Sequence, residues 1–408
     1  MPEMTDQMLA KAMAGGAADR RALRDDARHE FLGCLLFVAG SAIFYMMPAY
    51  LALVGGRLAL DSAQLGTLAG VESLAIGISS LLGPFWVARL DRRLCLIGAA
   101  AVCALGNVMT AYGETFQIVL ASRFLVGLLG EGAFFTLSFT VLGGVRKIDR
   151  AFAIALTAAV AFGAAVMAAA APLERLLATV GPLALLIVVA LATLPFVGWL
   201  PSRSREEPAP SVAPARSYRR NWAAVLALVA QAIWFGAPGA FWTFAEQVAT
   251  DKGVPTDTAE LALSVGELAG LSGSIFAAWI GDRWGRLRPI AGATIGMAFA
   301  AIVYQYSVGA AVLGLVLSIF YAFWNYGTVY QMSFIAELDR TGRTAVVMPA
   351  AQVFGLSVGP FCAGRLMLTS GDSAVTLATI LFGAGGLGLY LVCFSYLRRT
   401  AAKTASRR

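Results

Sequence analysis

Charged residues are scarce in this sequence. Asp, Glu, Lys and Arg make up 13% of its 408 residues, about half the share that soluble domains carry. Hydrophobic residues make up 59%, and the mean hydropathy is +0.73. A soluble chain of this length cannot bury so much apolar surface, so the composition predicts a protein surrounded largely by lipid. The net charge of +7 does not indicate nucleic-acid binding, because the basic residues are confined to short loops and tails.

Histidine and paired cysteines are scarce as well. The single histidine, His29, lies in the polar N-terminal segment, and none of the five cysteines forms a C-x-x-C pair. These features predict neither a disulfide framework nor a metal site. The sequence also lacks H-E-x-x-H, an intramembrane G-x-S-x-G and a P-loop, so neither an enzyme nor an ATP-driven pump is expected. The first thirty residues contain no apolar core of a cleavable signal peptide.

Long runs of apolar residues make up most of the sequence. A helix needs about 20 apolar residues to cross a bilayer. Twelve runs come close to or exceed that length, at residues 31–54, 65–88, 95–112, 116–142, 151–172, 181–200, 221–247, 258–281, 289–308, 310–336, 344–368 and 374–396. The predicted fold class is therefore an all-α membrane protein with 12 transmembrane helices.

The segment 201–220 divides these runs into two sets of six. It is rich in Pro, Ser, Ala and charge, which is typical of a linker, although an ordinary loop is the alternative. The predicted organisation has five parts: an N-terminal tail (1–30), a six-helix bundle (31–200), the linker (201–220), a second six-helix bundle (221–396) and a basic C-terminal tail (397–408).

Lysine and arginine are distributed unevenly between the two sets of loops. Of the 31 basic residues, 26 fall in the tails, the linker and the even-numbered loops. Cytoplasmic loops of membrane proteins carry such an excess. The pattern predicts a multi-pass protein of a bacterial-type inner membrane, with both termini in the cytoplasm.

The second and eighth spans repeat one pattern. Each carries a glutamate about eight residues in, Glu72 and Glu267, and each ends in an Asp-Arg turn. Internal repeats of this kind are common in transporters. The turn 281-GDRWGR-286 resembles the Asp-Arg-x-Gly-Arg loop of the major facilitator superfamily, and 91-DRRLC-95 keeps only its first two residues.

This resemblance covers residues 31–396 and implies two pseudo-symmetric six-helix bundles that transport a solute by alternating access. It also implies a cytoplasmic gating loop, whose candidate residues are Asp282, Arg283, Gly285, Arg286, Asp91 and Arg92. A positively charged turn without a gating role is the alternative.

Two further stretches are similar to motifs of proton-coupled antiporters. The fourth span contains 123-RFLVGLLGEG-132, which is similar to their arginine motif. The eleventh span contains 355-GLSVGPFCAG-364, which resembles a signature of the antiporter fifth helix. Small residues spaced by four are also ordinary helix packing, so this alternative stays open.

Ionisable residues within the spans are the main site candidates, because a charge at the bilayer centre is costly. Glu131, Arg123, Glu72 and Glu267 are predicted to bind protons or substrate charge, with interhelical hydrogen bonding as the alternative. Glu131 is predicted to be the most isolated acid. Glu246 and Arg365 are expected at the membrane interface, near the outer ends of their spans.

Polar and aromatic residues within the spans are candidates for lining a substrate cavity, with packing or interfacial anchoring as the alternative. They are Tyr45, Gln231, Trp234, Tyr304, Gln305, Trp324, Asn325 and Gln331. Together these features predict a monomeric secondary transporter that moves a small organic or amphipathic solute. A proton gradient, rather than a cofactor, would drive it. A membrane receptor on the same scaffold and an uncoupled facilitator are the alternatives, and the direction of transport stays open.

Overall fold

The computed structural model describes residues 2–200, 222–307, 309–338 and 347–405, and within these ranges the chain forms helices and turns without a strand. The helices are α1 (Pro2–Leu58), α2 (Ser62–Val87), α3 (Arg92–Tyr112), α4 (Phe116–Leu142), α5 (Ile148–Leu177), α6 (Leu183–Leu191), α7 (Trp222–Asp251), α8 (Thr256–Ile280), α9 (Leu287–Tyr306), α10 (Ala310–Leu338), α11 (Met348–Ser370) and α12 (Ser373–Ala405).

Eleven of these helices are long and apolar enough to cross a membrane, counting the described residues only. The remaining span is shorter. It consists of α6 and a 3-10 segment, Leu194–Trp199, whose first turn contains Pro195. Proline cannot donate the hydrogen bond that would continue the α-helix. The chain is thus an all-α membrane protein, and the structure is consistent with the twelve predicted spans.

Several helices are longer than the apolar runs that predicted them. α1 passes residue 30 without a break, and α5 continues beyond Pro172 to Leu177. α12 likewise extends into the predicted tail, to Ala405. Hydropathy marks the part of a helix that lipid surrounds, whereas backbone hydrogen bonding decides where the helix ends. The predicted linker, 201–220, lies outside the described residues.

Helix packing groups the chain into two bundles. In the first, α1 packs on α4 and α5, and α3 packs on α4 and α6. In the second, α8 packs on α10, and α7 packs on α11 and α12. The most extensive contacts between the bundles are those of α2 with α11 and of α5 with α8.

The two sides of the membrane are distinguished by their loops. We call the side of the arginine-rich turns 88–91, 143–147 and 281–286 the basic side, and the side of turns 59–61, 178–182 and 252–255 the far side. Several interhelical hydrogen bonds in the described part of the chain join the bundles between the far side and the midplane. They include Ser62 Oγ to Gly364 O (3.0 Å), Ser357 Oγ to Gly70 O (2.7 Å) and Ser264 Oγ to Ala164 O (2.7 Å).

Glycine makes this close approach possible. A Cβ atom on Gly66 of α2 would lie 2.3 Å from the carbonyl oxygen of Pro360 in α11, and one on Gly364 would lie 2.2 Å from the carbonyl oxygen of Ser62. Small residues allow membrane helices to pack backbone to backbone. The bundles are therefore closed against each other on the far side.

Candidate functional site

Arg123 is at the centre of a buried polar network in the first bundle. Its side chain is fully buried in α4 and forms ion pairs with Glu72 of α2 and with Glu131 of its own helix, the latter at 3.4 Å. Its Nη1 atom donates a hydrogen bond to Asn107 Oδ1 of α3 at 2.9 Å. Three of the four predicted ionisable site residues therefore meet at one point.

Two local features of α4 bring these groups together. Residues Val126–Glu131 form a π-helical turn, which begins shortly after Arg123 and ends with Glu131 itself; such turns occur often at functional sites. Gly127, within this turn, faces α2, where a Cβ atom would lie 2.7 Å from the carbonyl oxygen of Glu72. The absence of a side chain there lets α2 approach α4 closely enough for Glu72 to reach Arg123.

The prediction that Glu131 is the most isolated acid is wrong. It assumed the rise of a regular α-helix, which separates residues eight apart by about 12 Å. The two side chains together bridge this separation, since Arg123 Nη2 lies 3.4 Å from Glu131 Oε1. One oxygen of Glu131, Oε2, has no hydrogen-bond partner in the described part of the chain.

Two further residues complete the surroundings of Arg123. The aromatic ring of Tyr50 in α1 lies 5.1 Å from Arg123 Cζ, a cation–π distance. Asn107 was not among the sequence-based candidates, although an amide inside the apolar run 95–112 was a signal that could have found it. The network thus draws on α1, α2, α3 and α4.

The network contains more acid than base. Two carboxyl groups face one guanidinium, so a fully ionised network would carry one uncompensated negative charge within the membrane. Such a charge is costly in a low-dielectric interior. One bound proton makes the network neutral, and carboxyl groups that share a site in this way titrate as a unit.

Glu267, the fourth predicted ionisable residue, lies apart from this network. It is at the middle of α8, is 2% exposed, and neither carboxyl oxygen has a hydrogen-bond partner among the described residues. Tyr45 of α1 and Tyr321 of α10 are within electrostatic range of its carboxyl group. Glu267 therefore faces the junction of the two bundles near the midplane, where transporters bind their substrates.

The acid and the base expected at the interface have different surroundings. Arg365 is exposed and stacks on the ring of Phe361, with its Cζ 4.7 Å from the ring centroid. Glu246 also lies near the far-side end of its helix, α7, but it is 2% exposed because neighbouring helices cover it. Glu174 of α5 and Glu260 of α8 are its charged neighbours, because these helices cover the far-side end of α7.

The cavity candidates separate into buried and half-buried residues. Four pack inside the second bundle: Gln231, Trp234, Tyr304 and Gln331. Trp234 Nε1 donates to Thr294 Oγ1 (2.8 Å), Tyr304 Oη donates to Ala245 O (2.6 Å), and Gln331 Oε1 accepts from Tyr390 (3.2 Å). These contacts favour the packing alternative for the three residues. Tyr45, Gln305, Trp324 and Asn325 are half-buried.

The second predicted gating loop, residues 281–286, links the start of α9 with the end of α10 through ion pairs of Arg286. Arg286 pairs with Asp282 at 2.7 Å and with Glu337 at the end of α10. The hydrogen bond to Glu337 raises the pKa of Arg286, so this guanidinium stays charged. Gly285 has a φ of +68°, which glycine adopts without strain, while Arg283 Nη1 donates to Trp279 O at 3.3 Å.

The first predicted gating loop, which contains Asp91 and Arg92, forms the cap of a helix instead of an ion pair between helices. Asp91 caps α3, where its carboxylate accepts hydrogen bonds from the backbone N–H groups of Arg93 and Leu94 at 2.8 and 3.0 Å. Arg92 is the first residue of α3. The two loops are thus similar in sequence, but the Asp282 carboxylate pairs with an arginine and the Asp91 carboxylate caps a helix.

Known proteins with a similar sequence or fold are membrane transporters. An uncharacterized MFS-type transporter of Bacillus subtilis (strain 168), YbcL, is 21% identical over 379 residues, which cover 90% of this chain and 94% of that protein. The nucleoside transporter NupG superimposes with a TM-score of 0.67 at 13% identity, covering 91% of this chain and 98% of that one. A D-xylose-proton symporter superimposes with a TM-score of 0.69 at 16% identity, covering 90% and 96%.

The family itself is established by the sequence. Residues 32–364 match the profile of the Major Facilitator Superfamily. Its members are transporters rather than enzymes, in agreement with the prediction. With its all-helical fold of two bundles and its Asp-Arg turns, this chain belongs to the Major Facilitator Superfamily.

Proposed function

We propose that this transporter couples the movement of a small organic solute to protons, and that the Arg123 network binds the coupling proton. The observation that carries the proposal is the charge imbalance of that network, in which Glu72 and Glu131 face a single guanidinium inside the membrane. We assign the proton to Glu131 rather than to Glu72, because Arg123 lies closer to the Glu72 carboxylate than to that of Glu131, at 3.4 Å, and so compensates the charge of Glu131 less.

Proton binding would be linked to the closure between the bundles through α2. One face of this helix carries Glu72, which pairs with Arg123. Another carries Gly66 and Gly70, which contact the backbone of α11. When Glu131 releases its proton, the new carboxylate attracts Arg123 and repels the carboxylate of Glu72. That change alters the position of α2 and hence its contact with α11.

The solute would bind near the midplane, beside Glu267. Glu267 and half-buried Trp324 belong to the second bundle, and Tyr45 belongs to the first. A solute bound among them is therefore contacted by both halves. Alternating access requires such a shared site. The basic side corresponds to the cytoplasm, following the excess of arginine in its loops, and we expect a monomer to be the working unit.

The similar structures support coupling without identifying the solute. One is titled a D-xylose-proton symporter, and another reports substrate recognition in proton-dependent oligopeptide transporters. A receptor on the same scaffold would need no proton site. An uncoupled facilitator would need no excess carboxyl group in the Arg123 network. The unequal number of acids and bases therefore favours a coupled transporter over both.

Proteoliposomes with a trapped pH indicator test this proposal. Pentoses, nucleosides and dipeptides are added in turn, and a transported compound is recognised because it changes the internal pH. For that compound we expect Glu131→Gln to abolish proton movement but to preserve solute exchange without a gradient. Glu267→Gln should instead raise the solute concentration needed for half-maximal exchange.

The matched control is Glu114→Gln, which alters an exposed acid just before α4. It should leave both activities at the wild-type level. If Glu131→Gln transports solute with an unchanged dependence on the pH gradient, the assignment of the proton site is wrong. If no solute in the panel moves protons through the wild-type protein while one is exchanged, the protein is an uncoupled facilitator.

A further inference from the structure

A groove on the second bundle lies outside the transport site. It has a volume of about 500 Å³ and runs between α8 and α9, with α10 as its floor. Phe276 of α8 and Phe323 of α10 form its apolar walls, and Trp284 and Arg288 lie at its basic-side end. From the 281–286 turn the groove extends along α8 to Ser272, about 12 Å at the rise of an α-helix.

The groove faces lipid rather than the junction of the bundles. Ile319, Phe323 and Tyr326 of α10 line it and recur at intervals of four and three residues, which places them on one face of the helix. Tyr321, which is near Glu267, lies on the opposite face. Large apolar side chains beside the groove, Ile295 and Phe299 of α9, are more than 60% exposed, as expected for residues in contact with acyl chains.

The chemistry of the basic-side end fits an anion. Arg288 is exposed and has no ion pair in the described part of the chain, whereas the neighbouring Arg286 pairs with two acids. Arg288 belongs to the first turn of α9, where the helix dipole already places positive charge. A free arginine there leaves this end of the groove strongly positive.

The two halves of the protein differ at this point. The corresponding helix of the first bundle, α3, is capped by the carboxylate of Asp91. α9 begins after Arg286 and has no side-chain cap, because Asp282 pairs with Arg286 instead. The backbone N–H groups of Leu287 and Arg288, together with the Arg288 side chain, can therefore receive an anion from outside the chain, whereas Pro289 has no N–H to contribute.

We propose that this groove binds one anionic phospholipid from the leaflet on the basic side. Its phosphate is bound by Arg288 and the start of α9, and one acyl chain lies along Phe276 and Phe323. The apolar part of the groove excludes a free inorganic anion as the full occupant, and its depth is close to the thickness of one leaflet, about 15 Å. Gly292 leaves the α9 side of the groove open, since a Cβ atom there would have no neighbour within 4 Å.

The test is lipid binding to the purified full-length protein in detergent. Native mass spectrometry and thermal shift are measured during titration with dioleoyl phosphatidylglycerol or dioleoyl phosphatidylcholine. For the wild type we expect the anionic lipid to bind more tightly. Arg288→Gln should weaken phosphatidylglycerol binding roughly fivefold, from the contribution of one basic residue near a membrane surface. It should weaken phosphatidylcholine binding less, because the choline ammonium offsets the charge of the phosphate. Gly292→Leu should fill the groove and weaken both lipids.

Arg283→Gln is the matched control, because it removes a cation from the same turn that lies over Trp279 rather than in the groove. It should retain the preference for phosphatidylglycerol, and its thermal stability checks that changes in this turn do not unfold the protein. Equal losses in Arg283→Gln and Arg288→Gln would overturn the proposal, as would an unchanged lipid preference in Arg288→Gln. Displacement of phosphatidylglycerol by an equal concentration of inorganic phosphate would also overturn it, since the acyl chain would then contribute nothing.

Discussion

At the scale of single residues, Arg123 is a charged side chain that is fully buried, and burying a charge is costly unless other groups compensate it. Its charge is compensated by Glu72 and Glu131, and one of its donors is satisfied by Asn107. Removing one partner from a buried ion pair is strongly destabilising because it leaves an uncompensated charge. Removing both members of a pair costs much less, because the remaining groups can stay neutral.

This reasoning predicts the order of stabilities in a set of variants. Arg123→Gln should lower the free energy of unfolding by about 3–5 kcal/mol, because two carboxyl groups lose their counter-ion. The double variant Arg123→Gln with Glu72→Gln should recover part of that loss. Thermal melting of the purified proteins, followed by tryptophan fluorescence at constant pH, would measure it. A double variant as unstable as the single one would show that charge compensation is not what stabilises the network.

At the scale of elements, α2 is the helix that connects the proton site with the closure between bundles. Its Gly66 approaches the backbone of Pro360, which cannot move aside as a flexible side chain can. A methyl group at this position must push α2 and α11 apart. Gly98 in α3 offers a matched control, because a Cβ atom there would meet nothing within 4 Å.

We expect Gly66→Ala to open the far side. Ser264, which is 5% exposed between α5 and α8, would be replaced by cysteine in a background without the five native cysteines. A membrane-impermeant maleimide should label it several times faster in Gly66→Ala than in the parent protein. Gly98→Ala should label at the parent rate. Equal labelling in both glycine variants would contradict the assignment of α2 and α11 to the far-side closure.

At the scale of the whole molecule, the excess of basic residues on one side predicts the orientation in the membrane. Gly144 lies in a basic-side turn and Asp372 in a far-side turn. In the same cysteine-free background, Asp372→Cys should react with an impermeant maleimide in intact cells, and Gly144→Cys only after the cells are opened. The reverse pattern would place both termini outside the cytoplasm and would contradict the positive-inside interpretation.

Comparing the two halves of the sequence predicts which residues occupy equivalent positions, but not which groups those residues contact. Glu72 and Glu267 were predicted as equivalent residues, and both are buried near the middle of their helices. Their surroundings differ, however, since Glu72 pairs with Arg123 and Glu267 has no partner among the described residues. The pseudo-symmetry therefore positions two acids at similar depths but does not give them the same chemistry.

Hydropathy and sequence motifs alone were sufficient to predict the membrane class, the approximate positions of twelve spans and the family. Hydropathy adds up along the chain, and lipid selects any helix that is apolar over about 20 residues, so these features need no knowledge of tertiary contacts. The same property located the buried ionisable residues, because a charge inside an apolar run is conspicuous wherever the helix later packs.

Which of those residues meet depends instead on how the helices pack in three dimensions. Whether Glu131 reaches Arg123 depends on a π-helical turn and on the course of one long side chain, and whether Glu72 does depends on the rotation of α2 against Gly127. The same holds for Trp234, a cavity candidate by composition that packs inside the second bundle against Thr294. Helix rotation and translation arise from contacts between distant parts of the chain, and for that reason no local pattern encodes them.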